Sequence, residues 1–158
     1  MRHIYGKIFS KRIKGFTLIE FIIVVAIIGV LAGITIIALN PTRQFSRTNN
    51  TTRRANVTAI LNAVGQNMTD NRGGFSCAAG IIPAIATKMA STGGYDIAPC
   101  LVSTYLAQLP VDPIAENAHW VSTSDYDTGY TVLRSTTDSR ITIAAPDAEL
   151  GETISVTR

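Results

Sequence analysis

Histidine, cysteine and N-terminal acid are scarce in this 158-residue chain, and each scarcity removes a class of function. The histidines are His3 and His119 alone, and the cysteines Cys77 and Cys100 have neither a CxxC spacing nor a histidine close by. No catalytic set for nucleophilic or thiol chemistry can be assembled from them, so an enzyme is not expected. Met1 to Gly15 holds Arg2, Lys7, Lys11, Arg12 and Lys14 and no carboxylate. Taking those five from the 14 basic residues leaves nine against 11 acidic ones, so the rest of the chain is near −2 although the whole is +3. The basic pI belongs to the leader, and DNA binding, for which Arg53 and Arg54 are the available cations, is not supported by the net charge.

What is abundant is aliphatic sequence. From Phe16 to Leu39 the run FTLIEFIIVVAIIGVLAGITIIAL has Glu20 as its only ionisable group. A helix of that length is roughly 36 Å long at 1.5 Å per residue, enough to cross a hydrocarbon core of about 30 Å with some tilt. The basic cluster before it obeys the positive-inside rule and places the N-terminus in the cytoplasm. The run is too long for an h-region and lacks an A-x-A site, so an ordinary secretory signal is excluded. Leu31-Ala32-Gly33 is followed by Ile34 and not by Cys, which excludes a lipoprotein. Everything beyond the run then lies where disulfides persist, and Cys77 and Cys100 are expected to form one, closing a loop of about 24 residues worth roughly 3 kcal/mol.

Asn40-Pro41 interrupts the helix, because proline donates no hydrogen bond and crowds the preceding turn. Asn40 as an N-cap and Pro41 at the first helical position let it restart at once, so a kink is expected at Pro41. Phe45, Val57, Ile60, Leu61, Val64 and Met68 then recur at helical spacing until Asn71-Arg72-Gly73-Gly74 stops the pattern. Between them, Ser46 to Asn56 is rich in Asn and Thr, which form helices poorly, so its helicity must come from packing. The Asn-x-Ser/Thr matches at Asn49, Asn50, Asn56 and Asn67 are read as chance in so Asn- and Thr-rich a chain. Two short helices are expected at Pro83 to Ser91 and Cys100 to Gln108, then strands at Tyr130 to Arg134, Arg140 to Ala144 and Glu152 to Thr157. The layout is α+β, with a long N-terminal helix packed on a small antiparallel sheet of about three strands. Its segments are a leader (1–15), a membrane half of the helix (16–39), an amphipathic half (40–72) and a small globular head (73–158).

The stretch Lys14-Gly15-Phe16-Thr17-Leu18-Ile19-Glu20, with a basic leader before it and an apolar helix after it, resembles the class III signal peptide of type IV pilins and of the pseudopilins of type II secretion. The resemblance covers Lys14 to about Leu39 closely and the helix-then-sheet layout in outline. It implies a pilin fold, cleavage by a prepilin peptidase between Gly15 and Phe16, and N-methylation of Phe16. It also implies a role for Glu20, whose carboxylate pairs with the terminal amine of Phe16 in a neighbouring subunit and sets the register of the assembling helices. The mature chain is then a homo-oligomer in a helical filament, extracted from the inner membrane by a cytoplasmic ATPase and a platform protein. Gly29 and Gly33, in GVLAG, add a small-xxx-small spacing that lets helices approach closely.

Within that resemblance the expected function is a structural subunit of a type IV pilus serving adhesion, motility or DNA uptake. The alternatives are a secretion pseudopilin in a periplasmic filament and a membrane-anchored binding protein that never assembles. Because some pseudopilins hold calcium near their small sheet, Asp112, Asp125 and Asp127 are candidate calcium ligands, with turn formation as their other reading. An EF-hand is excluded, since the position that needs Glu is Thr136. Trp120, Tyr126 and Tyr130 are expected to pack in the core, and His119 to sit at the surface or a strand end.

Overall fold

The computed structural model describes residues 15–158, the side chains of 37–39 excepted. The expected leader therefore lies, up to residue 14, outside the described residues, as does His3. The chain divides into two compact units, one ending at Pro41 and the other running Thr42–Arg158.

The first unit is helix α1, Leu18–Leu39. Thr17, in extended backbone, caps it. Its stretch Leu18–Ile36 has a mean hydropathy of 2.7 and none of it is buried, so by length and composition it can cross a membrane. Asn40 then takes a left-handed conformation (φ 40) that terminates α1, and Pro41 opens helix α2, Pro41–Asp70. The interruption expected from Pro41 is thus centred on the preceding residue.

α2 is built on one stripe. Val57, Ile60, Leu61 and Val64 are buried, each contributing about 1.5 to 3 kcal/mol relative to exposure. Further toward its N-terminus the same stripe continues through Arg53, Asn50 and Ser46, which are also buried. Its threonines are accommodated by bonding back along the helix: Thr48, Thr51, Thr52, Thr58 and Thr69 each donate to the carbonyl four residues earlier. Phe45, expected on the packed face, is 70% exposed.

The sheet has five antiparallel strands where about three were expected: β1 (Thr87–Ala90), β2 (His119–Ser122), β3 (Asp125–Arg134), β4 (Ile141–Ala145) and β5 (Ile154–Thr157). Their order is β1-β3-β4-β5, and β2 also pairs with β3. The hairpin anticipated around Ser135 to Ser139 joins β3 to β4, with Arg134 opposite Ile141. Alternation puts Ile141, Ile143 and Ala145 of β4 inward with Tyr126, Tyr130 and Val132 of β3, and these close on the apolar stripe of α2. Trp120 of β2 is partly buried and packs on Tyr126, ring centroids 5.6 Å apart.

Two expected helices are corrected. Most of Pro83 to Ser91 is loop and strand β1, because β3 offers Thr87 and Lys88 a ladder opposite Val132 and Thr131, and pairing outweighs the helix preference of Lys-Met-Ala. Cys100 to Gln108 keeps only the end of a four-residue helix, α3 (Ala98–Leu101), since Ser103 adopts φ 69 and breaks it. Cys77 and Cys100 do form the disulfide, joining the segment after α2 to α3. The double replacement Cys77→Ser with Cys100→Ser should lower head stability by about 3 kcal/mol in urea unfolding of the full chain, and leave α1 untouched.

Gly129 has φ +72, and a Cβ there would come within 2.9 Å of the Cβ atoms of Asp112 and Ala115. Only glycine lets the chain around Asp112 lie this close against β3.

Candidate functional site

The start of α1 and the polar half of the α2 stripe are two places where charged side chains meet defined partners. At the first, residues 15–17 carry no regular structure, Phe16 is 87% exposed, and nothing lies within 4 Å of a Cβ built on Gly15. The Gly15–Phe16 peptide is therefore open to an enzyme.

Four residues along, Glu20 is the third residue of α1 and closes a capping box. Its Oε2 accepts from the Thr17 amide at 2.7 Å and from the Thr17 hydroxyl at 2.7 Å, while the Glu20 amide donates to Thr17 Oγ1 at 3.3 Å. Two of the orphan donors of the helix start are thereby satisfied. The other oxygen, Oε1, has no hydrogen-bond partner among the described residues. One oxygen of this carboxylate thus holds its own helix through Thr17, the residue after Phe16, whose nitrogen cleavage would turn into an amine. The capping box was readable as Thr-x-x-Glu before an apolar run, although the sequence reading looked only for a partner in another chain. Around it the described apolar side chains of α1, from Leu18 to Ile36, are all exposed, and Gly29 and Gly33 have nothing within 4 Å of a built Cβ.

The second place centres on Arg53, whose side chain is fully buried. Its Nε donates to Asp112 Oδ2 at 2.7 Å and its Nη2 to Asp112 Oδ1 at 3.0 Å, a two-pronged contact matched to the planar fork of the guanidinium. Nη1 donates to Asn50 Oδ1 at 3.0 Å and to Glu149 Oε2 at 2.9 Å. Asp112 Oδ1 also accepts from the amides of Ile114 and Ala115, and Glu149 from Asn49 and Ser46. Every group is paired, as buried charge requires. Of the two arginines, Arg53 is inside, against the expectation that it is available to acidic partners, and Arg54 stays more than half exposed while pairing with Glu152 at 2.5 Å.

These contacts shift titration. Burial alone would raise the Asp112 carboxyl, but hydrogen bonds from Arg53 and from the two backbone amides outweigh it and hold its pKa below the usual value. Glu149 is lowered as well, chiefly by Asn49, then by Ser46 and Arg53. A carboxyl depressed on folding stabilises the protein above its unfolded pKa and stops doing so as pH falls through its folded one. The melting temperature should therefore drop steeply below about pH 4, a fall that calorimetry would see weakened in Glu149→Gln.

The three candidate calcium ligands are not brought together. Asp112 faces Arg53 from the interior, Asp127 Oδ2 pairs with Lys88 Nζ at 2.7 Å, and Asp125 Oδ1 meets His119 Nε2 at 3.1 Å. Among the described residues no group of three His, Cys, Asp or Glu gathers in a way that could hold a metal ion. The asparagines of the Asn-x-Ser/Thr matches are likewise occupied: Asn50 and Asn67 are buried, Asn49 donates to Glu149, and Asn56 donates to Val111 O and Tyr130 Oη.

Comparison with known proteins agrees with the first place and is silent on the second. The family described as the prokaryotic N-terminal methylation motif matches residues 10–36, which take in the Gly15–Phe16 peptide, Thr17, Glu20 and most of α1. No curated protein and no solved structure matches the chain.

Proposed function

We propose that this chain, whose N-terminal methylation motif is the class III signal peptide of type IV pilins and pseudopilins, is a structural subunit of a type IV pilus. The motif implies a membrane-anchored precursor cut by a prepilin peptidase. Cleavage falls between Gly15 and Phe16, the new amine of Phe16 is methylated, and α1 exchanges lipid for the α1 helices of other copies. The reading rests on one observation above all: the motif coincides with an apolar helix whose stretch Leu18–Ile36 is left uncovered by the described residues.

Glu20 supports the assembly step. With Oε2 committed to Thr17 and Oε1 open, the carboxylate can receive the amine of a neighbouring Phe16 without surrendering its cap. One polar pair among interchangeable aliphatic side chains selects a register that packing alone would not. An assembly ATPase and a platform protein supply the work, and adhesion, motility or DNA uptake are properties of the fibre. The engagement of Asp112, Asp125 and Asp127 by Arg53, His119 and Lys88 favours the pilus over a calcium-holding pseudopilin.

Mass spectrometry of filaments sheared from cells tests this. The expected species begins at N-methylated Phe16. A chain so processed but confined to the envelope would transfer the role to a secretion pseudopilus, and a chain retaining residues 1–15 would leave only a membrane anchor.

A further inference from the structure

Two surface features of the unit Thr42–Arg158 remain unexplained by the fold, and they lie at opposite ends of α2. The first is the turn between β4 and β5. Glu152 N bonds to Glu149 O at 3.2 Å across Leu150 and Gly151, whose φ values are 61 and 70. Two successive left-handed residues make the tight turn that ordinarily calls for Asn-Gly, and a bulky leucine in that conformation is an outlier. Its side chain is nonetheless 47% exposed to solvent. The turn is clamped on both sides: Asn50 exchanges two hydrogen bonds with the Glu149 backbone at 2.8 and 2.9 Å, and Glu152 pairs with Arg54. A strained backbone held this firmly presents the leucine as a rigid knob, flanked by Asp147, Glu149 and Glu152.

The second feature is a groove of about 250 Å³ along the last turns of α2, lined by Val64, Gly65, Met68, Gly73, Ile141 and Arg158 among others. At Gly65 the absence of a side chain lets Arg158 lie across the groove, its Nη1 3.2 Å from a built Cβ. A second hollow shares Met68, Gly73 and Ile141 and adds Arg134 at its rim. Neither the Arg158 side chain nor Asp147 has an ion pair among the described residues. From Asn50, where the knob is anchored, to Met68 in the groove is roughly 27 Å along the helix.

We propose that the Leu150 turn of one copy docks in the α2–β4–β5 groove of the next, leucine against the apolar lining and Asp147 toward Arg158. This rests on the filament reading and adds to it a contact between heads. Because knob and groove are different surfaces offset along one axis, the contact is heterologous and propagates as an open chain of copies. Complementary charge fixes which end meets which.

The test is Leu150→Asn in the full-length chain. Asparagine suits the left-handed turn better than leucine, so the variant should melt no lower than the parent, while filament yield falls about tenfold. Unchanged yield would overturn the proposal. A benzoylphenylalanine cross-linker at position 150 should give a covalent dimer joined within residues 64–73 or at Ile141 or Arg158. A junction elsewhere, or filaments without the dimer, would sink the contact and leave the filament reading standing. A groove-linked dimer that persists undiminished in Glu20→Ala would support the contact while counting against the role assigned to Glu20.

Discussion

Glu20→Ala should insert in the membrane as the parent does and lose entry into filaments by about tenfold or more, measured as the ratio of sheared to envelope-bound chain. Insertion is driven by the apolar run, which alanine only lengthens. Assembly loses the single polar contact that aligns α1 with its neighbours. Alanine removes the cap on α1 at the same time, so the informative companion is Glu20→Gln. Its amide oxygen can still accept from Thr17, and the capping box survives, but no charge remains to meet an amine. Equal loss in both variants assigns the effect to the charge. Normal assembly of Glu20→Gln would reduce Glu20 to a helix cap and remove the basis for an intermolecular pair.

The largest effect on the head should come from Asp112→Ala, which removes one half of a fully buried ion pair. Arg53 would keep its bonds to Asn50 and Glu149 and lose the two-pronged contact, leaving Nε and Nη2 unsatisfied in the interior. Breaking such a pair costs about 3 to 5 kcal/mol, a large part of the stability of a domain this size. Thermal unfolding in detergent should show a drop of about 10 °C or more. Arg53→Met with Asp112→Leu, which removes both charges and refills the volume, should recover most of that loss. A double variant as unstable as the single would mean that the pair contributes net stability and does not merely compensate itself.

The α+β layout was legible because its signals are local. The apolar run, the Thr-x-x-Glu start, the Gly73-Gly74 stop and the alternation in β4 each lie within one element. Strands β1 and β2 were not legible, since each is only four residues long, Thr-Lys-Met-Ala and His-Trp-Val-Ser, and is completed as a strand by the pairing that β3 offers. The Arg53 cluster escaped for a different reason. Ser46, Asn50 and Arg53 extend the spacing of Val57, Ile60 and Val64, so the stripe was visible, yet a polar stripe reads as solvated until Asp112 and Glu149 arrive from distant sequence. The same applies to the calcium candidates: three aspartates suggested a shared ion, and only the fold reveals that each has a different basic side chain for partner.

The polar half of α2 is held largely by one loop that follows it by about a hundred residues in the chain, through Glu149 bound to Ser46, Asn49, Asn50 and Arg53. A ribosome delivers these partners at opposite ends of synthesis. Ser46 to Asn56 has little intrinsic reason to be helical, so its helix depends on tertiary contacts, of which those from Glu149 are made last in the chain. A chain truncated before residue 149 should keep its apolar anchor and lose these contacts, a loss that circular dichroism would register as reduced helix in the polar half of α2.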